Sequence, residues 1–334
     1  LFLDMLRSET AASPDRRTAA LRGLAAYQDA PRQRTQRPLP ARRRRGRARL
    51  RDAGGTGRPV VLVPSLINPP SILDLSPSQS LARWLARQGV RSWLLDWGEP
   101  DPKERGLDLA GHVERLLLPL LARLDEPPVL VGYCLGGTLA LGAAAAMPVA
   151  GCATIVAPWH FSGYGGARET MARHWAAAAP TCEALGLLPM EVLQAGFWRL
   201  DPARTVDKYV AFGTLDPASE AAQGFVRLED WANAGAPLTL AAGRDLFERC
   251  VAADEPGRRV WRVGGRTVDP HALPCPTVEF VSLTDRIVPA ATAAGLADRR
   301  DLGAGHVGMM IGSRAQAQLW EPLAGWIAAL PPAT

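Results

Sequence analysis

Three residues of this sequence have the types and the order needed for nucleophilic acyl chemistry: Cys134, Asp285 and His306. Cys134 stands in Gly132-Tyr133-Cys134-Leu135-Gly136-Gly137, a G-x-Nu-x-G pattern with a thiol at the nucleophile position. An apolar run, Val129 to Tyr133, leads into the motif, and a small-residue stretch, Thr138 to Met147, leads out of it. That context predicts a strand, a sharp turn bearing the thiol, and a helix. Glycines flank the turn because its backbone passes close to neighbouring elements. A helix N-terminus beneath the sulfur favours the thiolate, the form that attacks carbonyl carbon. Asp285 and His306 then follow in the order acid, histidine. Taken singly, Asp285 reads as a cap before Ile287-Val288-Pro289 and His306 as a loop or core histidine. With the thiol turn they read as a nucleophile, a base and the base's orienter. Asp96 is a rival acid that precedes the nucleophile. His112, His174 and His271 are unplaced, and His160, just beyond the strand after the turn, lines the pocket mouth or serves structure.

The elements that must position these groups alternate between strand and helix. Strands are expected at Gly46 to Asp52 (an edge), Pro59 to Pro64, Arg91 to Trp97, Val129 to Tyr133, Gly151 to Val156, Thr277 to Leu283 and Arg300 to Leu302. Helices are expected at Ser8 to Tyr27, Gln79 to Gln88, Leu107 to Leu124 with a kink at Pro119, and Ser313 to Leu330. The alternation lapses from about 158 to 262, where Trp, Ala and Pro-rich helical pieces suit a cap over Cys134 that gates substrate entry. Pro180, Pro189, Pro202 and Pro217 are expected to break it into short helices. The pattern is α/β, a mostly parallel central sheet flanked by helices with an inserted, mainly helical cap. The expected organisation is an N-terminal helix with an Arg-rich linker over 1–45, then one catalytic domain over 46–334.

The net charge of +5 is unevenly spread, because residues 32 to 51 hold ten arginines and no acid, leaving the remainder net acidic. Like-charge blocks are usually solvated, and Pro31, Pro38 and Pro40 fit a linker. No aromatic residues are interleaved for base stacking, so nucleic acid is not expected as a partner. The five cysteines form no C-x-x-C pair and no zinc-spaced cluster, so reduced thiols and no metal are expected. There is no apolar run of membrane-spanning length and no secretory signal, which points to a cytoplasmic protein without a membrane span. The chain opens on Leu1 rather than Met, the mark of a clipped or partial N-terminus, so the missing signal carries little weight.

Six segments in order resemble the polyhydroxyalkanoate synthases, particularly the short class that acts with a separate subunit. They are VLVPSLINPPSILDLSPSQSLARWLARQG at 61–89, LLDWGEPD at 94–101, GYCLGG at 132–137, FVRLEDWAN at 225–233, LTDRIVP at 283–289 and GHVGMMIGSRA at 305–315. The resemblance implies an α/β-hydrolase fold and an acyltransferase that polymerises 3-hydroxyacyl-CoA with release of CoA, through an acyl group carried on Cys134. It places the catalytic acid and base at Asp285 and His306. It places the oxyanion-binding amides at Leu135 and at Leu66 or Ile67. CoA is then part of the substrate, and no cofactor is implied. The implied partners are the acyl-CoA and the polyester chain, a second synthase subunit or a second copy of the chain, and the granule surface. His160, Trp159 and Trp231 are candidate substrate contacts, in a cap whose tryptophans would keep water from the thioester. Two departures stand out. The long N-terminal domain of larger synthases is missing, and APWHF replaces a TPxDF-like sequence, putting His160 where the family is usually acidic. The rival readings are a cysteine-nucleophile thioesterase, esterase or depolymerase on the same scaffold, and more distantly a non-catalytic granule-associated protein.

Overall fold

The computed structural model describes residues 1–32 and 36–332 and divides the chain into two units, Pro38–Pro189 with Ala236–Thr334 and Leu1–Arg37 with Met190–Gly235. The larger unit is built on eight strands: β1 (Ala41–Arg45), β2 (Ala48–Gly54), β3 (Pro59–Val63), β4 (Arg91–Asp96), β5 (Val129–Tyr133), β6 (Gly151–Ile155), β7 (Thr277–Ser282) and β8 (Arg299–Leu302). Their order is β1-β2-β4-β3-β5-β6-β7-β8, and β2 alone runs against the rest. Every residue of β3, β5 and β6 is buried. Continuous burial explains their unbroken apolar sequences, because a parallel strand covered on both faces has no solvent side. The strand order reverses between β3 and β5, and the crevice beyond their C-terminal ends is where such sheets collect ligands.

Two expectations about the arginine block are corrected. Residues 41–45 are not a linker but the edge strand, which makes β2 the second strand and not the edge. The guanidinium groups have individual places in the fold. Arg43 lies over the Trp93 ring, its carbon 5.6 Å from the centroid. Arg51 donates to Asp96 at 2.7 Å and to the Leu39 carbonyl at 2.9 Å. Arg47, with a side chain only 10% exposed, donates to the carbonyls of Trp97 and Gly98 and to Glu104. A run that reads as solvated charge therefore folds where long stems bury and the heads find acceptors. Arg34 lies outside the described residues.

The cut at 45/46 is also not where the chain divides. The smaller unit joins the helices Phe2–Glu9 and Pro14–Asp29 to three helices from inside the insertion, Met190–Trp198, Pro202–Phe212 and Glu220–Asn233. The expected single helix from Ser8 is broken by Ser13, which caps the second helix through its hydroxyl, with Pro14 at the first helical position. Helices Pro14–Asp29 and Pro202–Phe212 pack so closely that a Cβ on Gly23 would overlap the Tyr209 carbonyl. Leu6, Ala20 and Val206 form the core there.

The rest of the insertion belongs to the larger unit. Its helix Ala167–Leu185 runs for 19 residues with Pro180 inside it, so that proline does not end it as expected. A short antiparallel pairing of Leu187–Leu188 with Leu238–Thr239 ties the chain where it leaves for the smaller unit and returns. Among the described residues no helix is long and apolar enough to cross a membrane.

Candidate active site

The strand β5 ends at Tyr133, and the helix Leu135–Ala146 begins one residue later, leaving Cys134 alone in the turn at φ 56°, ψ −135°. Its amide continues the sheet ladder by donating to the Ile155 carbonyl at 2.9 Å, and its carbonyl accepts from Gly137 at 2.8 Å. The turn is tight enough to require its glycines. A Cβ on Gly136 would overlap the Val63 and Pro64 carbonyls, and one on Gly132 would meet Gly137. That close approach also sets the loop after β3 against the start of the helix.

The other two groups arrive on the loops after β7 and β8. The exits of these strands are laced together: Leu283 donates to the Leu302 carbonyl at 2.9 Å, and Ser282 Oγ to the Ala304 carbonyl at 2.5 Å. Asp285, 8% exposed, accepts the amides of Ile287 at 2.7 Å and Val288 at 3.1 Å on Oδ1. Its other oxygen accepts from His306 Nδ1 at 2.5 Å. Burial acts to lower the His306 pKa. The charge of Cys134, with the hydrogen bond and the charge of Asp285, outweighs it and raises the pKa from 6.5 to about 10. Tyr133 supports the arrangement from below, its ring 5.1 Å from the imidazole and its hydroxyl donating to the His306 carbonyl at 3.3 Å. The rival acid is engaged elsewhere, for Asp96 accepts from Arg51 and from the Gly98 amide.

The sequence left Leu66 and Ile67 as alternatives for one amide donor. The Ile67 amide donates to Ser65 Oγ at 3.1 Å, whereas among the described residues the amides of Leu66 and Leu135 have no acceptor. The remaining candidates divide. Trp159 is 1% exposed and packs in a T-shaped pair with Trp261, the ring centroids 6.2 Å apart. Trp231 is buried in the smaller unit. The His160 amide donates to the Thr292 carbonyl at 2.9 Å, and its side chain is half-buried. His112 is structural. Its Nδ1 donates to the Asp108 carbonyl at 2.7 Å, its Nε2 accepts from Arg47 at 2.6 Å, and burial first, with the Arg47 charge, lowers its pKa to about 4.

Sequence reading missed Tyr164. It lies on the short helical turn Phe161–Tyr164 after β6, half-buried, and burial together with the charges of Cys134 and Asp285 raises its pKa far above the usual phenol range. Its one sequence signal was its place three residues after Phe161 in the segment that follows the strand next to β5.

A model described as the alpha/beta hydrolase family matches residues 60–320 of this chain. The poly(3-hydroxyalkanoate) polymerase subunit PhaC of Haloferax mediterranei is 28% identical over 288 residues, which cover 81% of this chain and 58% of that protein. The chain thus spans under two thirds of that relative's length. The PhaC subunit of Allochromatium vinosum is 25% identical over 302 residues, covering 80% of each chain. Among solved structures, the haloalkane dehalogenase DbeA of Bradyrhizobium elkani superposes with a TM-score of 0.52 at 21% identity, covering 87% of this chain and 97% of that one, a likeness of fold. The reversal of strand order at β3 and β5, the thiol in the turn after β5 and the match over most of the sheet meet in one conclusion: this chain belongs to the alpha/beta hydrolase family.

Proposed function

We propose that this chain is a polyhydroxyalkanoate synthase-like acyltransferase that polymerises 3-hydroxyacyl-CoA through an acyl group on Cys134. The observation that carries the reading is a thiol, rather than a hydroxyl, in the turn after β5, next to Tyr133, whose ring lies 5.1 Å from the imidazole that Asp285 holds. The similarity to PhaC subunits supports the substrate class.

In this reading the Cys134 thiolate attacks the thioester carbonyl, and the developing oxyanion lies toward the free amides of Leu135 and Leu66. Collapse breaks the C–S bond to CoA, whose thiolate takes a proton from the His306 imidazolium. One thioester has replaced another, so the step is nearly balanced in energy. Neutral His306 then removes the proton from the 3-hydroxyl of a second 3-hydroxyacyl-CoA. The alkoxide attacks the acyl-cysteine, an ester forms, and Cys134 leaves as thiolate. The product is a CoA ester longer by one unit, which can load Cys134 again. Asp285 keeps Nδ1 protonated and Nε2 directed at the reacting atoms.

The same groups would hydrolyse the thioester if water replaced the 3-hydroxyl, so the products decide. Purified protein supplied with 3-hydroxybutyryl-CoA is expected to release CoA and form insoluble polyester. CoA release with free 3-hydroxybutyrate as the sole product would make it a hydrolase. No CoA release at all would remove the enzymatic reading. The word subunit in the relatives' names extends the proposal to a second synthase subunit, or a second copy of this chain, as partner, working at the surface of the polymer it makes.

A further inference from the structure

Two side chains fix the loop after β3 on either side of Leu66 in the sequence. Before it, the indole of Trp97, which follows β4 and is 5% exposed, donates from Nε1 to the Pro64 carbonyl at 3.0 Å, a buried hydrogen bond. After it, the buried Ser65 hydroxyl accepts the Ile67 amide at 3.1 Å, which turns the chain so that Leu66 is the residue enclosed. The Pro64 carbonyl is also an atom that meets the start of the helix Leu135–Ala146. A Cβ on Gly136 would lie 2.5 Å from its oxygen and 2.2 Å from that of Val63. Gly136 stands two residues past Cys134 and directly after Leu135, whose amide is the other free donor. One oxygen is thus gripped between the indole and the turn that bears the thiol, and the Leu66 amide follows it by two residues.

Trp97 reaches Pro64 from a fixed base. Arg47 donates to its carbonyl at 2.8 Å and to that of Gly98 at 2.9 Å, and the Gly98 amide donates to Asp96 at 2.9 Å. The indole also packs in a T-shaped pair with the His112 ring, the centroids 6.0 Å apart. An amide that binds an oxyanion is only as effective as its placement, because it must lie within hydrogen-bond reach of the oxygen where charge develops. A misplacement of about 1 Å costs on the order of a hundredfold in rate.

We propose that Trp97 and Ser65 are positioning residues for the oxyanion-binding amide of Leu66. The indole sets the loop against the thiol turn, and the hydroxyl decides that Leu66, not Ile67, presents its N–H. Both act through that amide and not on the reacting atoms. The inference rests on the synthase reading above and concerns its first step, in which the sulfur bonds the thioester carbon and the C=O pair moves onto oxygen. Polymerisation and hydrolysis share that step.

The test separates attack on a carbonyl from attack by the same sulfur on saturated carbon. CoA release from 3-hydroxybutyryl-CoA passes through the oxyanion, whereas alkylation of Cys134 by iodoacetamide, followed by mass spectrometry, displaces iodide and forms none. Trp97→Phe keeps an aromatic ring without the N–H, and Ser65→Ala removes the hydroxyl. Each is expected to lower kcat for CoA release by about tenfold or more with KM within about twofold, while Cys134 alkylation stays within about twofold of the wild type. Because both side chains act on one amide, their effects should not multiply, and the double variant should fall little below the worse single one. Ser65→Thr, which restores a hydroxyl, should recover CoA release relative to Ser65→Ala. Unchanged CoA release in either single variant, alkylation slowed in step with CoA release, or losses that multiply would overturn the inference while leaving the synthase reading in place. If Trp97→Phe does not fold, the Ser65 pair decides. A wild type that is alkylated at Cys134 yet releases no CoA would instead remove the synthase reading, and this inference with it.

Discussion

Cys134 holds φ 56°, ψ −135°, a conformation that disfavours any residue with a side chain, at a cost of about 1–3 kcal/mol. The surrounding ladder and the glycine contacts impose it, so the thiol is presented at the expense of stability. Replacing Cys134 by Gly relieves that strain, whereas Ala keeps it. We expect both variants to lose CoA release, and Cys134→Gly to melt at or above the temperature of Cys134→Ala in thermal denaturation. A lower melting point for the glycine variant would mean that the turn is not strained. The same thiol sets the protonation of His306. Its pKa is raised in the fold from 6.5 to about 10, so the stabilisation it brings is complete below pH 6.5 and is lost as pH climbs through about 10. Removing the sulfur removes the largest cause of that rise. In Cys134→Ala the imidazole should titrate at lower pH by NMR, and the fall in stability between pH 6.5 and 10 should begin earlier.

At the scale of elements, the sheet is completed by a basic hairpin whose arginines are not equivalent. Arg47 reaches through the half-buried region beside β4 to four acceptors: the Trp97 and Gly98 carbonyls, Glu104, and His112 Nε2. Its removal leaves several buried polar groups without a partner, and His112 loses the donor that fits its neutral form. Arg47→Ala is expected to cost about 3 kcal/mol in urea denaturation. Arg44, exposed on the edge strand, is expected to change stability by under about 0.5 kcal/mol when truncated to Ala. Equal effects would mean that the block stabilises by its total charge and not through individual sites. The charged edge has a further consequence, since arginine on an edge strand opposes pairing with a second sheet.

On the scale of the whole chain, the smaller unit is assembled from two stretches far apart in sequence. Phe2 meets Trp198 edge-on at 5.0 Å and Tyr209 at 5.4 Å, and Tyr27 donates to Asp230 at 2.7 Å. Tyr209 and Lys208 both bond the buried Glu229. Neither stretch can bury its apolar face alone. Deleting residues 1–31 should therefore make 190–235 sensitive to limited proteolysis, read by mass spectrometry, while the strands β3, β5 and β6 remain protected. Continued resistance of 190–235 after the deletion would show that its helices are self-sufficient.

What the sequence by itself determined was whatever depends on local pattern. The unbroken apolar runs of β3, β5 and β6 could only be strands covered on both faces, and Gly132, Cys134 and Gly136 announced a turn between strand and helix. The order Cys134, Asp285, His306 was legible because chain order is one-dimensional. Tertiary structure alone decided what depends on which distant atom fills a valence. Ser65 takes the Ile67 amide and leaves Leu66 free; Arg51 takes Asp96 and leaves Asp285 to His306. The arginine block looked like a linker because charge density is local information. The rings and carbonyls that receive its guanidinium groups lie tens of residues further along the chain.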